Sequence, residues 1–142
     1  MKSTVLIDTG AFIALADSSD QLHANAKRIA ADIEKTTSLV TTPFILMETS
    51  LYLHRRISRE VSRRFWSSLI SGDAHVEIVA CDPLDLERAS QISHQYADQD
   101  FSFVDCTSFA IMERLKISRA FSFDQDFLVF RLPTGSIHRI PD

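Results

Sequence analysis

The chain has 142 residues, a formal net charge of −4, 45% hydrophobic and 24% charged residues, which suits one domain over residues 1–142 with a real hydrophobic core. That charge excludes a globally basic nucleic-acid binder, so a polyanionic partner would need a local basic patch or a metal ion. Cys81 and Cys106 form no CxxC and the five histidines lack zinc spacing, which argues against a zinc site and fits reduced thiols in the cytoplasm. Asp8 interrupts the opening apolar run, so no signal peptide is expected, and no stretch is long enough to span a bilayer.

Thr4–Ile7 is a short apolar run with β-branched members, the pattern of a strand buried on both faces. It ends at Asp8, and Thr9-Gly10 leads into a short helix over 11–16. Leu22, Ala26, Ile29, Ala30 and Ile33 give residues 20–35 helical spacing, and 38–40 reads as a weak strand. Thr42-Pro43 is a helix start, with Thr as N-cap and Pro at the first helical position. Ser58 opens a further helix halted near Gly72, and His75–Ala80 alternates as a third strand. Asp82-Pro83 caps a helix to about Ala97. Ser102 opens another, followed by a strand over 120–123, a short helix starting at Asp124 and an edge strand over 136–140. Strands alternating with helices indicate an α/β sandwich around a mainly parallel sheet, whose ligands gather at the carboxyl ends of the strands.

Four carboxylates stand in apolar settings. Glu48 has Phe44, Ile45, Leu51 and Tyr52 at helical spacing, with no local Lys or Arg to neutralise it, so it is either a ligand or a residue whose face reaches solvent or a distant arginine. Asp8 and Asp124 lie just past expected strands, and Asp105 lies at a helix start. Each of these three fits a helix cap as readily as a ligand position. Asp126 reads either as a further acidic ligand or as a solvated first-turn residue. Asp82 and Asp85 read as plain capping. If Asp8, Glu48, Asp105 and Asp124 converge to about 5 Å, each ionised pair repels by roughly 3 kcal/mol at an effective dielectric near 20. Raised pKa values or a bound divalent cation would relieve this, and oxygen ligands favour Mg²⁺ or Mn²⁺. Such a site can activate a water and steady the charge on a phosphodiester in transit.

Arg55, Arg56, Arg59 and Arg63 form a basic stripe after the Glu48 helix, either a solvated face or a phosphate-backbone contact. The three glycines form no phosphate-cradling loop, and no histidine is placed for a serine triad.

Taken in order, the strand ending in Asp8-Thr9, Glu48 in the helix after Thr41-Thr42-Pro43, Phe103-Val104-Asp105-Cys106 and Phe121-Ser122-Phe123-Asp124-Gln125-Asp126-Phe127 resemble the PIN-domain nucleases. Their spacing is most similar to the VapC-type ribonuclease toxins of toxin–antitoxin modules, and the resemblance covers nearly the whole chain. It implies a three-layer α/β/α sandwich with a five-stranded parallel sheet and Mg²⁺- or Mn²⁺-dependent cleavage of RNA. It further implies that Asp8, Glu48, Asp105 and Asp124 hold the metal, with Ser122 orienting the last Asp or the water. Asp126 stands where family members vary. The resemblance also implies homodimers and a cognate antitoxin that occludes the site. Two other readings stay open: a non-toxin PIN nuclease in RNA processing or decay, and a catalytically silent RNA- or protein-binding domain whose acids are structural caps.

Overall fold

The computed structural model describes residues 2–142, and its frame is a five-stranded sheet in the order β3-β2-β1-β4-β7 with every pairing parallel. The strands are β1 (Ser3–Ile7), β2 (Thr37–Thr41), β3 (Val76–Ile78), β4 (Arg119–Phe121) and β7 (His138–Ile140). β1 is central, with Val5 aligned to Leu39 on one side and to Arg119 on the other. Its continuous apolar run fits that place, and Val5, Leu6 and Ile7 are buried.

The intervening helices are α1 (Thr9–Ala16), α2 (His23–Glu34), α3 (Pro43–Tyr52), α4 (Arg59–Ser71), α5 (Pro83–Gln95), α6 (Phe103–Leu115) and α7 (Asp126–Val129). From β1 the chain steps outward to β2 and β3, then crosses back to β4 and β7 on the opposite side. Right-handed crossovers therefore place α1–α4 on one face and α5–α7 on the other. The direction of winding reverses between β1 and β4, the place beyond whose strand ends sheets of this kind bind their ligands. Among the described residues, no helix is long and apolar enough to cross a membrane.

Local chemistry sets the helix ends. The Thr42 hydroxyl accepts the Ile45 N–H at 3.2 Å, and Ser58 accepts that of Val61 at 3.1 Å. Gly72 closes α4 at φ 82°, a left-handed conformation that favours glycine. Three expectations shift. A π turn (Leu53–Ile57) extends α3 and buries Leu53. The expected strand over 136–140 is divided: Gly135–Ser136 (β6) pairs with Arg131–Leu132 (β5) as a separate antiparallel ribbon, and only His138–Ile140 joins the sheet. The short helix begins at Asp126 rather than Asp124.

Candidate active site

Asp8 follows β1 directly, and its backbone N–H continues the ladder to Phe121 O at 3.0 Å. The Ser122 hydroxyl, fully buried just past β4, donates to Asp8 Oδ2 at 3.0 Å. That same Ser122 oxygen accepts the Asp124 N–H at 3.0 Å, and Asp124 Oδ1 in turn accepts the Asp126 N–H at 2.9 Å. These bonds tie the ends of two adjacent strands to one acidic loop. Asp124 stands one residue before the N-cap position of α7, which is Gln125, and accepts the N–H of the first helical residue. Its carboxylate folds over its own turn, the local bond that Asp side chains make in preference to helix.

Asp105 comes from the opposite direction, in the first turn of α6. The Ser102 Oγ accepts the Asp105 N–H and Asp105 Oδ2 accepts the Ser102 N–H, both at 3.0 Å, a complete capping box. The capping and ligand readings thus coexist, because the box uses one carboxylate oxygen and leaves Oδ1 free. An aromatic cluster fixes the loop against this helix. Phe109, one turn after Asp105, stacks on Phe130 with centroids 4.4 Å apart and meets Phe127 edge-on at 5.0 Å. Phe127 lies within the short helix opened by Asp126, and Phe130 is its C-cap.

The outcome is that Asp105, Asp124 and Asp126 each offer a carboxylate oxygen within 4.8 Å of the others. Among the described residues, no ion pair engages any of them, nor Asp8 or Glu48. Burial pushes the Asp8 carboxyl up to about 7, with the charges of Asp105 and Asp124 adding to the rise against the Thr9 amide and Ser122. Burial likewise raises Asp105 to about 6, assisted by Asp124 and Asp126 and opposed by its capping bonds. Asp126 is also raised, through burial and then the charges of Asp124 and Asp100.

A cation would remove this mutual penalty. Hard carboxylate oxygens without thiolate or imidazole suit a hard divalent ion. The hydroxyls of Thr9, beside Asp8, and Ser108, one turn after Asp105, are buried without a hydrogen-bond partner among the described residues, and so keep their bonding capacity.

Of the residues singled out from sequence, Asp105 and Asp124 enter the tight group, and Asp8 joins through Ser122 and through charge. Glu48 is half-buried on α3 and stands outside the group of three. Asp126, ambiguous in sequence, is inside it. Asp100 was not anticipated. Its only signal is an acid two positions before the Ser102 cap. Arg55, Arg56, Arg59 and Arg63 are exposed on the π turn and α4.

Residues 5–131 match the PIN domain family. A curated relative from Mycobacterium tuberculosis, named 23S rRNA-specific endonuclease VapC20, is 33% identical over 123 residues, covering 87% of this chain and 91% of the relative. The crystal structure of M. tuberculosis VapC20, described as a Sarcin-Ricin loop cleaving toxin, superposes with a TM-score of 0.79 at 29% identity, covering 86% of this chain and 91% of that one. The Rickettsia felis VapBC2 complex bound to a promoter DNA fragment shares the fold at a TM-score of 0.66 and 10% identity, covering 96% and 98% of the two chains. With a group of carboxylates near the switch point of a parallel sheet and a family match over most of its length, the chain belongs to the PIN domain family.

Proposed function

We propose that the protein is a metal-dependent ribonuclease and the toxin partner of a toxin–antitoxin pair. The observation that carries this reading is the group Asp105, Asp124 and Asp126, whose oxygens lie within 4.8 Å of one another and, among the described residues, are paired with no Lys or Arg. These three, with Asp8, would hold Mg²⁺ or Mn²⁺, and Glu48 would reach the site through water. A divalent ion bound there supplies Lewis-acid stabilisation of charge on a phosphodiester and lowers the pKa of water. Ser122 orients Asp8 and the Asp124 loop together. Asp105 is positioned by its helix cap, so its free oxygen is aimed before any ligand arrives. The relative named as a 23S rRNA endonuclease supports RNA as the substrate class, and a structured rRNA loop as the first target to try.

An antitoxin is supported by the neighbouring complex from R. felis and by a cavity of about 630 Å³ lined by Phe12, Leu15, Val61, Phe65 and Leu69. That cavity suits an apolar segment of a partner chain. A homodimer is supported by Phe44, Met47 and Leu51, exposed at helical spacing on α3. The whole chain is read as one domain.

The test is incubation of partner-free protein with RNA stem-loops in Mn²⁺, Mg²⁺ or EDTA, beside Asp124→Asn. Cleavage that requires metal and disappears in the variant supports the reading. A folded protein that binds Mn²⁺ and cuts no RNA overturns it. Growth arrest on expression without an antitoxin supports the toxin role, and harmless expression of active enzyme overturns that part alone.

A further inference from the structure

We infer that the hairpin joining α3 to α4 is the docking ridge for the RNA backbone flanking the cleaved phosphate. The inference rests on the ribonuclease reading and extends it to how the substrate is held.

Residues 54–64 contain five of the chain's fifteen basic residues and a single acid, Glu60, in a protein of net charge −4. Arg55, Arg56, Arg59, Arg63 and Arg64 are all exposed. Among the described residues, none of the five forms an ion pair, whereas Arg88 and Arg114 elsewhere are each paired with a carboxylate at 2.8 Å.

Helix stability accounts for part of the pattern only. His54, Arg55 and Arg56 occupy the last turn of the π segment, where cations complement the helix dipole. Arg59 occupies the first position of α4, where a cation is disfavoured, and Arg63 follows one turn later. Their placement opposes the dipole and concentrates like charge, so folding alone does not explain it.

The ridge is also built to be rigid. The Trp66 indole N–H donates to Ser50 Oγ at 2.8 Å, and the Ser62 hydroxyl bonds the Ser50 carbonyl at 3.3 Å, locking α3 to α4. The π turn itself closes through Ser58 N–H to Leu53 O at 2.9 Å. Arginines on a fixed frame lose less freedom when they bind, and their planar forks match phosphate. α3 starts immediately after β2, the strand beside β1, and Arg55 lies seven residues beyond Glu48, about 10 Å by helical rise. An RNA backbone that passes Glu48 along α3 therefore runs toward the ridge. Repulsion makes the acids a poor binding surface for RNA without metal, so the arginines supply the attraction.

The experiment measures binding of a fluorescein-labelled RNA stem-loop to the full chain in EDTA, across a KCl series, by anisotropy. The variants are the triple Arg55→Ala/Arg56→Ala/Arg59→Ala, the triple Arg→Lys at the same positions, and a control removing equal charge elsewhere, Lys27→Ala/Arg28→Ala/Lys35→Ala. The alanine ridge variant is expected to weaken binding roughly 10- to 100-fold and to reduce the log–log salt slope by about 2, at about 0.7 per single-strand phosphate contact. The lysine variant retains most of the slope, and the control stays near the parent. A ridge variant with parental affinity and slope overturns the inference, as does a control that loses as much. Binding in chelator needs no cleavage. A protein that cuts RNA while its ridge variants bind normally refutes the ridge alone, whereas ridge-dependent binding without any metal-dependent cleavage refutes the nuclease reading alone.

Discussion

Two capping boxes with the same local geometry serve opposite ends in this chain. At α5, Asp85 Oδ2 accepts the Asp82 N–H at 3.0 Å; at α6, Asp105 Oδ2 accepts the Ser102 N–H at 3.0 Å. Both carboxylates are buried third residues of their helices. Asp85 also meets Arg114, which reaches it through Nε at 2.8 Å and Nη2 at 3.0 Å. Burial pushes Asp85 up, but the Arg114 hydrogen bonds, the Asp82 amide and the Arg114 charge together hold the carboxyl below its ordinary range. Asp105 meets Asp124 and Asp126 instead, and rises to about 6. A cap alone does not distinguish an acid held by an arginine from one left among other acids. The neighbours brought by the fold do.

The comparison breaks most visibly in activity. Asp105→Asn keeps an oxygen to accept the Ser102 N–H, so the helix start survives while the ligand is lost. RNA cleavage is expected to fall roughly 100- to 1,000-fold, with the metal-free melting temperature unchanged or raised. A collapse of the fold would mean that capping is the residue's main task.

Next comes pH. In the metal-free protein, folded Asp8 and Asp105 titrate near 7 and 6, above their ordinary 3.8. The folded state therefore retains protons that the unfolded state has released, and stability falls by several kcal/mol as pH rises from about 4 to about 7. A saturating divalent ion should flatten this slope in calorimetry. Asp85 behaves oppositely, its contribution being present above 3.8 and lost as pH falls through its depressed pKa.

Smaller still, Asp85→Asn or Arg114→Ala should cost about 1–2 kcal/mol in denaturant unfolding, discounted because Arg114 is partly exposed, while cleavage by the folded protein persists. Ser122→Ala leaves the Asp124 N–H and Asp8 Oδ2 without their shared partner. It should reduce cleavage roughly tenfold and move the acidic limb of the pH–rate profile upward, because Ser122 lowers the Asp8 pKa. A variant with the parental profile would show the hydroxyl to be packing only.

What was legible in the sequence was local. The β-branched run into Asp8, Thr42-Pro43, Ser58 to Gly72 and Asp82-Pro83 carry their structure within a few residues, and each element lies within a few residues of its expected bounds. The site was legible only as separate acids in apolar surroundings. That Asp126 joins Asp105 and Asp124 depends on Phe109, Phe127 and Phe130 setting the loop against α6. No periodicity encodes that contact. The π turn and the β5–β6 ribbon were likewise hidden, since both are resolved by pairing or burial within the folded chain rather than by composition.

The bond between Ser122 and Asp8 spans 114 positions of chain, and this sets a timetable for the protein's birth. The central strand is synthesised early, yet its β4 flank and the acidic loop follow more than a hundred residues later. At about 5–20 residues per second, Asp8 waits on the order of ten seconds for Ser122 and Asp124 to be made. Contacts of such long separation also form late when the chain folds. A growing polypeptide thus spends most of its synthesis without a complete set of acids, and the ribosome that makes it faces an enzyme only near the close of its work.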